Sequence, residues 1–270
     1  MNFEDIAVER SGAVLRVTLN RPALRNAMSL RMVGELRAAL ADAEAGGVRV
    51  LVLRGAGGHF CAGADLKDMA AARMRAMQAG APDGDAPDAI AQANRQFGEL
   101  CVAYANTPLA LVAVLEGSVM GGGFGLACVA DVALADESAL FRLPETALGV
   151  LPAQVAPFLV ERLGYSQAKR LAVTGGRIAA REALTIGLVH AVHATDQLDA
   201  ALDAVLADIL ACAPGAIAAT KALIARARLT PPADLVQQAA QVFSRAAQGH
   251  EGLEGAMAFL QKRKPNWAMP

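Results

Sequence analysis

Along residues 109–131, seven apolar positions in a row give way to a glycine-rich turn and then to a second apolar stretch. The first run, LALVAVL, has the length of a strand covered on both faces, and Glu116, Gly117 and Ser118 end it. Gly121, Gly122 and Gly123 lead into Phe124, Gly125, Leu126, Ala127 and Cys128, which predicts a buried helix opening on bare backbone. The first amides of such a helix have no acceptor within it and lie at the positive end of its dipole. The turn therefore suits a ligand on which negative charge develops. Triple glycine at a helix start also serves close packing, and spacing alone leaves both uses open.

The same order of signals occurs earlier in the chain. Residues 13–19 alternate as a strand that Asn20, Arg21 and Pro22 end. Ser29 then precedes a helix predicted over Leu30–Ala45, with Met32, Val33, Leu36 and Leu40 at helical spacing and Gly46 and Gly47 as the stop. Residues 48–53 make a second apolar strand that runs into Gly55, Gly57 and Gly58. In HFCAGADLKDM, which follows, Ala62, Gly63 and Ala64 are small and Asp65 suits the cap of a further helix. Two such loops facing each other would supply two convergent amides.

Residues 80–87, rich in Gly, Pro and Asp, predict an exposed, mobile loop that is either a surface connection or a substrate lid. A helix is predicted over residues 89–105, and short strands over 131–135 and 139–143. Beyond Pro152 helices dominate, with a short one over 181–187 before an apolar turn at 188–192. From Asp196 the pattern is wholly helical: Leu198, Leu202, Val205, Leu206 and Ile209 form one stripe, and Pro214 and Pro231 or Pro232 stand at helix starts. The chain thus divides into an α/β core over residues 1–195 and a helical segment over 196–270, whose apolar faces suit either the core or another subunit.

Composition narrows the function. With 54% hydrophobic residues, 4% aromatic and a net charge of −1, the chain offers neither a basic surface nor stacking platforms, so neither nucleic acid nor an anionic membrane is an expected partner. The N-terminus carries early acidic residues and no apolar core, and the charge-free tract at 117–130 is too short for a bilayer, so a soluble cytoplasmic protein is expected. Cys61, Cys101, Cys128 and Cys212 form no CxxC pair and read as buried free thiols in a reducing compartment; no histidine spacing suggests a metal. Glu145, just after Pro144 and among apolar neighbours, would gain proton affinity if half-buried, as suits a group that takes and gives a proton. A carboxylate steadied by a helix N-terminus is the alternative.

Five motifs in order are similar to the crotonase (enoyl-CoA hydratase and isomerase) superfamily: LNRPALRNAMS, HFCAGADLKDM, EGSVMGGGFGLACVAD, FRLPETALGVLP and AFLQKRKPNW. The resemblance spans nearly the whole chain. It implies an α/β spiral of ββα turns with a C-terminal helical segment, assembled as trimers or dimers of trimers. It also implies an acyl-CoA thioester substrate, with no cofactor beyond the CoA that the substrate carries. The family's oxyanion-hole amides fall on Ala64 and Gly122. Its CoA contacts fall on Ala62, Ala64, Asp65 and Leu66 at the adenine end and on Arg25 and Ala27 near the pantetheine and phosphates. Phe259 and Lys262 match positions that reach a neighbouring subunit's CoA, although Lys262, Arg263 and Lys264 also read as a solvated helix end.

Of the two glutamates that hydratases of this family use, Glu145 matches one and Gly125 stands in place of the other. The resemblance implies hydration of a 2-enoyl-CoA with Glu145 as acid and base. Alternatives are an isomerase running on one glutamate, a decarboxylase, a thioester hydrolase, or a non-catalytic acyl-CoA-binding scaffold. The wording around Gly125 and Glu145 is similar to hydratases of branched glutaconyl-CoA esters, the isohexenylglutaconyl- and methylglutaconyl-CoA type. Such a substrate brings a second carboxylate, for which Arg142 is a candidate partner, or else a plain surface arginine.

Overall fold

The computed structural model describes residues 3–78 and 88–268, and its first strand is one that the hydrophobic pattern did not predict. Strand β1 (Ile6–Ser11) buries only Ile6, so it carries no alternation to read, yet it pairs antiparallel with β2 (Val14–Leu19) along its whole length. Helix α1 (Leu30–Ala45) matches its expected span and is capped by Ser29, whose Oγ accepts from the Met32 amide at 2.9 Å. There follow β3 (Val50–Gly55), α2 (Leu66–Gln78), α3 (Ala89–Asn106), β4 (Ala110–Leu115), β5 (Ser118–Met120) and α4 (Gly122–Val129). Next come β6 (Val132–Asp136), β7 (Leu140–Arg142), α5 (Ala156–Thr174), β8 (Arg177–Ala179), α6 (Ala180–Thr185) and β9 (Ala191–His193). The chain closes with α7 (Leu198–Ala211), α8 (Pro214–Ala227), α9 (Pro232–Gln248) and α10 (His250–Leu260). The loop expected over residues 80–87 lies outside the described residues.

The strands form two sheets, a six-stranded one in the order β1-β2-β3-β4-β6-β9 and a three-stranded one in the order β5-β7-β8. Beyond the first hairpin every pairing in the larger sheet is parallel. Each turn of the chain gives one strand to the large sheet and a short one to the small sheet, then a helix: β4-β5-α4, and β6-β7 followed by α5. Cys61, paired singly with Val119, stands in for the short strand of the turn before. This is the α/β spiral of ββα units. Strands β5 and β8 span three residues each, too few for a period of two to register in the sequence.

Interior parallel strands are covered on both faces and so read as unbroken apolar runs; all six residues of β4 are buried. Leu111, Ala113 and Leu115 face a core with Met32, Leu36, Leu100 and Tyr104, while Val112 and Val114 face Leu198, Leu202 and Leu206 of α7. The helical segment read from residue 196 onward therefore divides. Helix α7 seals the sheet, whereas α8, α9 and α10 together bury only Leu235 and Ala258 and leave Val236, Phe243, Leu253 and Phe259 exposed. No single helix among the described residues is long and apolar enough to cross a membrane; Thr195–Ala211 and Pro214–Ala227 reach that length only as a pair bent by 98°. Cys61, Cys101 and Cys128 are buried and Cys212 is exposed, all four as free thiols.

Candidate active site

Three chain segments meet at the start of α4. The Met28 amide donates to the Gly63 carbonyl at 2.7 Å and the Asp65 amide to the Met28 carbonyl at 2.9 Å, which lays residues 63–65 against residue 28 as a parallel bridge. On the other side, the Cys61 amide donates to Ser118 at 2.8 Å and the Met120 amide to Cys61 at 2.9 Å. The Gly121 amide donates to the Arg142 carbonyl at 3.1 Å and so brings in the segment that ends at Glu145.

Glycine is required where these segments touch. Gly63 sits at φ +98° and Gly121 at φ +49°, and a Cβ on Gly121 would stand 3.4 Å from the Gly63 Cα and 3.0 Å from Glu145 Oε1. Ala64 and Gly122, each one residue further on, have amides with no acceptor among the described residues. The Gly122 amide opens α4, seven of whose eight residues are buried. Beneath the junction lies Cys61, whose Sγ accepts from the Gly63 amide at 3.4 Å and also from the Gly123 amide. Burial pushes that thiol up to about 11, so it stays neutral and serves as packing and acceptor.

Glu145 is half-buried, and its Oε2 is buried without a hydrogen-bond partner. Burial raises its proton affinity above the ordinary carboxylate value, with only its own backbone amide acting in the opposite direction. Although it precedes a short turn at Thr146–Leu148, its side chain makes no capping bond there. The carboxylate is instead turned toward Gly121. One helical turn further on, Gly125 faces two apolar groups: a Cβ there would stand 3.1 Å from Val155 Cγ2 and 3.2 Å from Phe97 Cζ.

Of the residues expected at CoA, Arg25, Ala27, Ala62, Ala64, Asp65 and Leu66 lie in two adjoining segments, and Phe259 and Lys262 do not join them. Arg25, left-handed at φ +48°, accepts at its carbonyl from the Ala62 amide at 2.9 Å, and Ala27 and Ala64 flank Met28 and Gly63 at the bridge. Asp65 turns its carboxylate inward to Arg21 Nη2 at 2.7 Å and caps α2 through the Lys67 amide, so it presents no free charge, while Leu66 is exposed. Phe259 and Lys262 lie exposed at the end of α10, with no hydrogen bond or ion pair to these loops among the described residues. Arg142 donates from Nε to the Gly175 carbonyl at 3.0 Å.

Four residues at this site were not singled out by the sequence. Asn26, fully buried at φ +56°, donates to the Ala56 and His59 carbonyls at 2.9 and 2.6 Å and accepts from the Arg21 amide. Arg21 also pairs with Asp5 at 3.5 Å, and Asp5 bonds to Ser29 and Arg31. A buried asparagine in a polar loop was the available signal, but its partners lie some thirty residues away. Phe97 sits at helical spacing with Leu100, Cys101 and Tyr104 and so reads as a plain core residue.

The chain is similar to known proteins over nearly its full length. A family model described as enoyl-CoA hydratase/isomerase matches residues 9–270. The 2,3-dehydroadipyl-CoA hydratase of Escherichia coli K12 is 34% identical over 272 residues, covering 98% of this chain and 99% of that protein. The solved structure of Pseudomonas aeruginosa AtuE superposes with a TM-score of 0.92 at 52% identity, covering 98% of this chain and 100% of that one. An enoyl-CoA hydratase/isomerase from Marinobacter aquaeolei gives 0.92 at 48%, covering 98% and 99%. Paired glycine loops, a desolvated glutamate and a match to the family model from residue 9 onward lead to one conclusion: the chain belongs to the enoyl-CoA hydratase/isomerase family, within the crotonase superfamily, and is an enzyme of the hydratase type.

Proposed function

We propose that this enzyme adds water across the 2,3 double bond of a 2-enoyl-CoA thioester, with the amides of Ala64 and Gly122 as oxyanion donors and Glu145 as the single acid and base. As the water oxygen bonds to the β-carbon, Glu145 takes the water's proton and the π electrons move onto the thioester oxygen. The two amides hold that oxygen as an enolate, each donor of this kind being worth about 3–4 kcal/mol. Protonated Glu145 then gives the proton to the α-carbon, which restores the thioester and regenerates the carboxylate. Atoms and charge balance with no group beyond the substrate's own CoA.

The observation that carries the proposal is the Glu145 carboxylate, with one oxygen beside Gly121 and the other buried without a partner. An unpartnered carboxylate oxygen is costly to bury unless a substrate or water completes it. The CoA moiety would lie along the wall of Arg25, Ala27, Ala62, Ala64, Asp65 and Leu66, with Phe259 and Lys262 serving a neighbouring subunit of a trimer or of a dimer of trimers. For the acyl group we propose a branched, glutaconyl-type chain with a second carboxylate; the name of the Escherichia coli relative, a hydratase of 2,3-dehydroadipyl-CoA, also describes a dicarboxylic acyl group. Arg142 is the proposed partner of that carboxylate.

The test is purified enzyme on a panel of 2-enoyl-, 3-enoyl- and 3-methylglutaconyl-CoA esters in water labelled with heavy oxygen. Hydration incorporates the label into a 3-hydroxyacyl product. Interconversion of the 2- and 3-enoyl esters with no label taken up would replace this reading with an isomerase, which one glutamate also suffices to run.

A further inference from the structure

Gly125 lies in the interior of a buried helix, where glycine is worse than alanine by about 1 kcal/mol, so a close approach must account for it. The approach comes from Phe97 of α3 and Val155, which a Cβ on Gly125 would meet at 3.2 and 3.1 Å. The same ring would meet a Cβ on Gly122 at 3.3 Å, so it spans both glycines on one face of the first turn of α4. Leu100, Cys101 and Tyr104, further along the stripe of α3, are fully buried, whereas Phe97 and Gly122 are both only half-buried.

We propose that Phe97 is a specificity-determining residue of the acyl site, its ring and Val155 forming an apolar wall that sets how large a branch the acyl group can carry beside the first turn of α4. The inference rests on the acyl-CoA reading above and deepens it. Gly125 and Phe97 act as a matched pair, because the missing side chain at one is what admits the ring of the other. Bulk at the α- and β-carbons of the acyl chain meets this wall first, since those carbons follow the thioester oxygen held at Gly122.

Binding of saturated acyl-CoA esters with a 3-methyl branch and with a larger 3-alkyl branch, measured by calorimetry, needs no turnover and reads this directly. Phe97→Ala should raise the ratio of large-branch to methyl-branch affinity about tenfold, the effect of roughly one or two methylenes in an apolar pocket. Gly125→Ala should lower the ratio, because its methyl forces the ring a few tenths of an ångström toward the cleft. With both changes together, the effect of Gly125→Ala should vanish, a non-additivity expected only of residues in contact. If Phe97→Ala does not fold, Phe97→Leu and Gly125→Ala carry the same test. A ratio within twofold of wild type in every variant, or a uniform loss of affinity for both esters, overturns the role of Phe97. Absence of any acyl-CoA binding by wild type would instead overturn the reading beneath it.

Discussion

The two loops that present Ala64 and Gly122 meet at one point but differ in what holds them there. The Gly122 loop is continuous with β5 and α4, and the residues from Gly123 to Val129 are buried in apolar surroundings. The Ala64 loop buries Phe60 and Cys61 in the same core, but it also depends on polar clamps: Asp65 to Arg21, Arg21 to Asp5, and Asn26 to the carbonyls of Ala56 and His59. A loop set by apolar packing keeps its place whatever the charge state of its neighbours. A loop that also leans on ion pairs and a buried asparagine loosens when two aspartates lose their charge. The proposed oxyanion pair thus joins a rigid half to a titratable half, and changes in each half should have different signatures.

The sharpest way to test the rigid half is chemical. Glu145→Gln removes the proposed acid and base without altering either loop, and kcat should fall about a thousandfold, within the 10²–10⁴ range of general acid–base catalysis. KM for the acyl-CoA should stay within a factor of about two, since the CoA wall is untouched. Stability should move the other way. Burial holds the folded-state pKa of Glu145 above the ordinary value, so above that pKa the native protein carries a charge that the unfolded chain solvates better. The glutamine variant should therefore melt at the same or a higher temperature at pH 8, and this advantage should fade as the pH drops and the wild-type carboxyl protonates. A melting temperature well below wild type at pH 8 would mean that Glu145 has a structural partner. By the same reasoning, the acid limb of the wild-type rate profile should lie above the usual carboxylate range.

The contrast also explains what could be read from the sequence. The apolar run at residues 109–115 and the glycines after it predicted β4 and α4 because burial writes itself as local periodicity. Ser29 and Asp65 announced their helices because a cap acts two or three residues away. The clamps on the Ala64 loop were not legible, because Asp5, Arg21, Asn26 and Ala56 are brought together only by the pairing of β1, β2 and β3. Likewise, nothing local tells that Phe97 rests on Gly122 and Gly125, two dozen residues downstream. Five motifs in order supplied the family, and with it the pairing of Ala64 with Gly122 that two separate glycine loops only suggested.

A smaller effect is expected where the halves touch. Gly121 sits at φ +49° and ψ −115°, a conformation closed to side chains, so Gly121→Ala should cost roughly 1–3 kcal/mol of stability. That corresponds to a melting temperature lower by about 3–9 °C in a chain of this size. The new methyl would also press on Glu145 Oε1 and on Gly63, shifting the acid and the facing loop together. We expect kcat to fall by up to roughly tenfold, since these contacts ask for shifts of a few tenths of an ångström and a displacement of about 1 Å costs about a hundredfold. Gly12→Ala, also at positive φ but with nothing within 4 Å of its new methyl, is the control that should lose stability and keep kcat.

The smallest effect should appear in the titratable half, and mainly in binding. Arg21→Ala leaves Asp5 and Asp65 without their shared cation, so the loop that carries Ala64 loosens while α4 and Glu145 stay in place. KM should rise several-fold with kcat lowered less, the pattern of a group that acts through ground-state binding. The stability cost should depend on pH in a definite direction. Burial acts to raise the pKa values of Asp5 and Asp65, but the arginines and other donors beside them outweigh it and hold both below the ordinary aspartate value. Their contribution is therefore complete above that value and is lost as pH falls through the depressed folded-state pKa values. Wild type and Arg21→Ala should then differ most in melting temperature near neutrality and converge below about pH 4. Glu145→Gln should show no such convergence from a lower melting temperature. A difference between wild type and Arg21→Ala that persisted unchanged into acid would mean that the Ala64 loop, too, is held by packing, and that the two halves are built alike.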